Sequence, residues 1–223
     1  MKMNTAEPIK GMTRSTKKAV LDAIACSIEI VIFGYFISFS FPYKTIAFIP
    51  LFLIAFIISR HVNSPIISFL HLFRKTFTLR MSIYLIIGFQ LGMAAAMYYR
   101  GNLGMPVLPD VIKPFSIVAV SIGIMEELFF RGFIQTQMNQ LNAYFAIFFS
   151  ALAHAAYKAS LFLSPNAIPH EHLILFFVGS FGAFIVLGLL RQQSKNLLPA
   201  IVTHAVFDLV VYSEVSHIPW WVW

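Results

Sequence analysis

Apolar residues run along this chain in long blocks divided by short polar or Gly/Pro-rich joints, and blocks of that length predict helices rather than strands. Seven such blocks are legible: 19–41, 45–59, 81–99, 115–140, about 20 residues after Asn142, 172–190 and 197–215. Pro50 interrupts the second, so that block either kinks, lies partly in an interface, or spans with help from its flanks. Between the second and third, residues 60–80 mix Arg60, Arg74, Lys75 and Arg80 with Ile66, Leu70 and Phe73, the pattern of an amphipathic segment on a headgroup layer. Gly88, Gly92 and Ala96 form a smooth four-residue stripe, as do Ala151, Ala155 and Ala159, each suited to close approach of another helix. A Gly/Pro-rich loop, 100–114, ends in Pro114, which suits the first turn of the helix that follows. Two prolines end the fifth block in the connection 164–171, and Trp220, Trp221 and Trp223 form an aromatic tail suited to a membrane interface.

Composition fixes the solvent of these helices. Hydrophobic residues make up 59% of the 223 positions and charged ones 11%, with a mean hydropathy of +0.79, which excludes an ordinary soluble globule. The expected fold is an all-α, polytopic transmembrane bundle of about seven spans (six to eight). It forms one domain, 19–223, behind a polar basic leader, 1–18. A net charge of +7 in a soluble chain would suggest nucleic acid; here it points to membrane lipids with an anionic surface, and no nucleic acid is expected. The leader, residues 60–80, Arg191 and Lys195 fall on one side of a seven-span arrangement, with Lys44, Arg100, Lys113 and Lys158 on the other. That asymmetry predicts a cytoplasmic N-terminus in a multi-pass protein of a prokaryotic plasma membrane. Cys26 is the single cysteine, so no intrachain disulfide forms, and a buried inert thiol is expected. Asp22 and Glu29, seven residues apart, share one face of the first helix and are expected to pair with another helix.

Against this background the run Met125-Glu126-Glu127-Leu128-Phe129-Phe130-Arg131-Gly132 is an anomaly. An ionised Asp or Arg at the centre of a membrane helix costs roughly 2.5–3.5 kcal/mol, so such groups face a protein interior. Glu127 and Arg131 stand at i and i+4 and can pair, while Glu126 points about 100° away and is left to face a cavity as a base. His154 lies near the middle of the next block, and His204 and Asp208 share a face of the last. Together Glu126, Glu127, Arg131, His154, His204 and Asp208 predict one polar cavity formed by three helices. Two chemistries compete there. One is a zinc site, although an H-E-x-x-H pair is absent and no cysteine can assist. The other is direct activation of water by a buried carboxylate helped by His, with polar donors stabilising the oxyanion.

Glu126-Glu127-x-x-x-Arg131, then His154, then His204-x-x-x-Asp208 resemble the three ordered motifs of the CAAX protease and bacteriocin-processing (CPBP, or Abi) family, E-E-x-x-x-R, F-x-x-x-H and H-x-x-x-N or D. The likeness covers 115–215. It implies a glutamic-type intramembrane endopeptidase with no metal or cofactor: Glu126 and His154 activate the water, His204 and Asp208 hold the oxyanion, and Glu127 with Arg131 supports them. It also implies a membrane-associated, possibly lipidated, protein or peptide as substrate. The chain departs from the pattern twice. Ser150 stands where the second motif has Phe, which is expected to remove an aromatic wall beside His154. Asp208 replaces a hydrogen-bond-donating Asn, so it must be protonated to donate, or else orient His204. Two other readings use the same residues: a non-catalytic bacteriocin-immunity or regulatory protein on this scaffold, and a transporter or proton relay, which calls for inverted repeats that the sequence does not display.

Overall fold

In the computed structural model, which describes residues 14–61, 78–163 and 172–216, the chain is all-helical. The predicted amphipathic segment 60–80, the connection 164–171, the aromatic tail and most of the basic leader fall wholly or largely outside the described residues. The helices are α1 (Arg14–Phe36), a 3-10 turn (Tyr43–Ala47) leading into α2 (Phe48–Ser59), α3 (Leu79–Asn102), α4 (Pro114–Glu127), α5 (Gln135–Met138), α6 (Ala143–Leu163), α7 (Leu173–Ser194) and α8 (Leu198–Val211). Between α4 and α5 the segment Leu128–Ile134 is π-helical, so the chain stays helical from Pro114 to Met138. Pro50 falls in the first turn of α2, where a missing N–H costs nothing, and it does not interrupt the helix.

Four helices, α1, α3, α6 and α7, are long and apolar enough to cross a membrane. The segment from Tyr43 to Ser59 and α8 are apolar but shorter. Large apolar side chains face outward along these helices: Leu21 and Ile28 on α1, Ile83, Ile86 and Phe89 on α3, Ile174, Leu175 and Val178 on α7. The fully buried side chains, by contrast, include Arg100, Glu127, Arg131, Gln135 and His154. Apolar outside and charged inside is the arrangement that a lipid solvent favours, and the chain is an integral membrane protein.

Helix ends are closed by local chemistry. The Thr78 hydroxyl accepts from the Met81 N–H at 3.3 Å at the start of α3, and Asn142 Oδ1 accepts from the Tyr144 and Phe145 N–H groups at 2.8 and 3.2 Å at the start of α6. Lys195, in the left-handed conformation, stops α7, and Asn196 Oδ1 then accepts from the Leu198 N–H at 2.9 Å to start α8.

Packing centres on α6 and α8. One core joins α1, α2, the π-helical segment and α6 through Cys26, Phe33, Ile54, Phe130, Ile134, Tyr157 and Leu161. A second joins α6, α7 and α8 through Ala151, Ala155, Phe184, Leu187 and Ala200. The predicted Gly88, Gly92 and Ala96 stripe lies against α8: a Cβ on Gly88 would come within 2.7 Å of the Pro199 carbonyl, and one on Gly92 would run into the Thr203 carbonyl. Asp22 pairs across helices, as expected, with His61 at 2.7 Å and Arg60 at 3.9 Å beyond the end of α2. Cys26 is buried, and its thiol is free.

Candidate active site

The helix that carries the opening motif changes form at the motif itself. Glu126 and Glu127 are the last residues of α4, and Arg131 sits in the π-helical segment that follows. That wider turn carries the Gln135 N–H to the Phe130 carbonyl, five residues back, and the same oxygen accepts the Ser150 hydroxyl of α6 at 2.8 Å. Single π-helical turns of this kind re-aim side chains and recur at functional sites.

All six predicted residues are buried and converge between α4, the π-helical segment, α6 and α8. Arg131 Nη1 donates to Glu127 Oε1 at 3.0 Å, forming the predicted pair, and Nη2 donates to the Phe184 carbonyl at 3.0 Å. Nη1 also contacts His154 Nδ1 within hydrogen-bond reach. A guanidinium offers donors only, so this contact makes Nδ1 the acceptor and places the ring proton on Nε2. That nitrogen donates to Glu126 Oε2 at 3.1 Å. The imidazole plane is fixed by stacking on both faces: Phe130 lies 4.0 Å away centroid to centroid and tilted 10°, Phe184 3.6 Å away and tilted 3°. The expected loss of an aromatic wall at Ser150 is therefore corrected, because Phe130 and Phe184 supply both walls and Ser150 instead secures the Phe130 backbone.

His204 differs from the expectation in its partner. Its Nδ1 donates to Glu127 Oε1 at 2.9 Å, while Asp208 Oδ2 stands 3.7 Å from Nε2, beyond hydrogen-bond distance. Glu127, rather than Asp208, thus orients the ring, and Nε2 faces Glu126 Oε2, also at 3.7 Å. The i, i+4 spacing put His204 and Asp208 on one face, but a carboxylate approaching from α4 is nearer. Asp208 finds its room at Gly123, where a Cβ would collide with its Oδ2. One turn before Glu126, Gly123 is a contributor that sequence reasoning overlooked.

Lys158 is the larger omission. The sequence reading places it among the charges outside the membrane, yet it lies within α6, four residues after His154, and its Nζ pairs with Glu126 Oε1. The signal was available: a lysine inside an apolar helical block carries the same cost as the residues already singled out. Arg100, likewise expected on the outer side, is fully buried and bonds the Pro106 and Val210 carbonyls at 2.7 and 3.2 Å and Glu214 at 2.7 Å.

Glu126 is thus held by Lys158 at one oxygen and by His154 at the other, and Glu127 Oε1 by Arg131 and His204. Among the described residues, Glu127 Oε2 and Arg131 Nε are buried without a hydrogen-bond partner, and no set of three His, Cys, Asp or Glu is disposed to hold a metal ion. The arrangement offers a carboxylate that can take a proton, beside imidazole N–H groups that can donate.

No curated protein and no solved structure matches the chain. A family does match, over residues 108–210, and its description is type II CAAX prenyl endopeptidase Rce1-like. That stretch holds Gly123, Glu126, Glu127, Arg131, His154, Lys158, His204 and Asp208, and over it this chain is similar to the Rce1-like family.

Proposed function

We propose that this protein is an intramembrane endopeptidase that hydrolyses a peptide bond of a membrane-associated, possibly lipidated, protein or peptide with water activated by Glu126. The observation that carries the reading is the meeting at Glu126 Oε2 of two imidazoles from different helices, His154 Nε2 at 3.1 Å and His204 Nε2 at 3.7 Å. The match of residues 108–210 to the Rce1-like family supports it.

In this mechanism Glu126 takes a proton from a water as its oxygen attacks the scissile carbonyl carbon. His154, its tautomer set by Arg131 and its plane by Phe130 and Phe184, donates to Glu126 and holds the carboxylate in one orientation. The carbonyl oxygen becomes an oxyanion, and His204 Nε2–H is the donor placed to meet it. With Glu127 on Nδ1 and two carboxylates beyond Nε2, that ring is surrounded by acceptors, an environment that suits imidazolium. Asp208 then balances the charge of His204 and needs no proton of its own. Collapse of the tetrahedral intermediate breaks the C–N bond, Glu126 returns its proton to the leaving amine, and a carboxylic acid and an amine result, the acid passing its proton to the amine as the products separate.

The helices from Tyr43 to Ser59, from Pro114 to Met138 and α8 complete a seven-span bundle in this reading, with the N-terminus cytoplasmic, in a prokaryotic plasma membrane. The substrate reaches the polar groups laterally from the lipid, through a cavity between the helices. The test is turnover of a quenched-fluorescence prenylated peptide with a CAAX-type C-terminus by the purified protein in detergent. Wild type should cleave it, and Glu126→Gln should lose about 10²–10⁴-fold in kcat. Equal rates for the two would refute the proposal.

A further inference from the structure

We infer that Lys158 is a positioning residue for the proposed base, holding Glu126 Oε1 so that the carboxylate stays ionised and aimed while Oε2 works with His154 and His204. The inference rests on the hydrolase reading above, which leaves Lys158 without a role.

Three observations carry it. The first is where the side chain goes. Lys158 lies five residues before the end of α6, about 7.5 Å along the axis, close enough for a lysine to extend its ammonium toward the headgroups. Instead the side chain is only 17% exposed, crosses to α4 and ends on Glu126 Oε1, with the Tyr157 ring 5.4 Å from Nζ. The second is charge. Glu126, Glu127 and Asp208 place three carboxylates in one buried cluster, and Arg131 directs its hydrogen bonds to Glu127, His154 and the Phe184 carbonyl and not to Glu126. Lys158 is the permanent cation that faces Glu126, and removing one partner of a buried ion pair leaves a charge that the interior does not tolerate. The third is division of labour. Each of the adjacent glutamates has its own cation, Arg131 for Glu127 and Lys158 for Glu126, and its own hydrogen-bonded imidazole, His204 on Glu127 Oε1 and His154 on Glu126 Oε2.

The experiment compares wild type, Lys158→Met, Lys158→Arg and Glu126→Gln, all purified in detergent, by two readouts. With the quenched prenylated peptide, Lys158→Met should lose about 10²-fold in kcat with KM within about threefold. Lys158→Arg, which keeps the cation, should recover to within about tenfold of wild type. By infrared difference spectroscopy at neutral pH, Lys158→Met should gain a carboxylic-acid C=O band that disappears when Glu126→Gln is added, and Lys158→Arg should lack it. A Lys158→Met enzyme as fast as wild type overturns the inference. So does an Arg variant no better than Met, or a fall in kcat/KM that lies wholly in KM. If wild type and Glu126→Gln turn over the peptide equally, or not at all, the hydrolase reading fails or lacks its probe, and the infrared comparison decides the Lys158 assignment: no new band overturns it.

Discussion

At the residue scale, the cluster divides into two halves that share α4. Glu127, Arg131 and His204 form a bonded set with no exposure at Glu127 or Arg131, whereas Glu126 and Asp208 keep slight exposure, 7% and 6%. His204, 9% exposed, joins the enclosed Glu127–Arg131 pair to the side of the cluster where Glu126 and Asp208 lie. Asp208 is the sharpest test of this division, because it donates nothing in the proposed mechanism. Asp208→Asn, which preserves shape, is expected to keep kcat within about tenfold of wild type on the prenylated peptide. A loss of 10²-fold or more would show that its charge is needed at the oxyanion side.

The residue scale is also where sequence reasoning reached furthest. The cost of charge in an apolar helix was enough to find Glu126, Glu127, Arg131, His154, His204 and Asp208, and the structure brings all six together. Spacing along one helix was a weaker guide to partners. It identified Glu127 with Arg131, but for His204 it offered only Asp208 as a possible partner and not Glu127, because a periodicity argument sees only the residue's own helix and Glu127 comes from another. Gly123 was invisible for a related reason: a glycine makes no contact to predict, and its value lies in the Asp208 carboxylate that it admits.

At the scale of the elements, the π-helical segment and the α3–α8 seam position the site. The π-helical turn was not legible, since Leu128–Ile134 has an ordinary apolar composition and only the Ser150 hydroxyl on the Phe130 carbonyl reveals why the wider turn is useful. The seam was legible, because small residues at four-residue spacing have few other uses in a membrane helix. It also matters for function, since Thr203, which meets Gly88 and Gly92, immediately precedes His204. Gly92→Val should push α8 away from α3, with an overpacking cost of about 1–3 kcal/mol. Reversible unfolding in mixed micelles measures that cost, and a variant as stable as wild type would contradict the close approach.

At the scale of the whole molecule, the ends of the bundle are tied together around Arg100. Besides the Pro106 and Val210 carbonyls it binds Glu214, whose Oε1 accepts from the Asp110 N–H at 3.1 Å, while Lys113 Nζ donates to the Glu214 carbonyl at 2.7 Å. The clamp joins the 103–113 loop to the chain just past α8, six residues beyond Asp208. Hydrogen bonds from Arg100 and from the Asp110 backbone hold the Glu214 carboxyl below the ordinary carboxylate range. A lowered folded value stabilises the fold above the unfolded value, about 4.3, and that contribution fades as pH falls through the lower folded one. Thermal unfolding in detergent should therefore show an acid-side loss of stability that is smaller in Glu214→Gln. Identical acid profiles for the two proteins would contradict the clamp.

The central claim is that Glu126 is the base of a hydrolase working inside the membrane, and the direct measurement is made on the membrane itself. Membranes from cells carrying either wild type or Glu126→Gln are compared by quantitative N-terminomics, with a chelator-treated arm. The account predicts new N-termini in membrane-associated proteins that need Glu126 and persist in chelator, with Glu126→Gln retaining the abundance of wild type. Identical N-termini in both membranes, or cleavage that continues without Glu126, would contradict it.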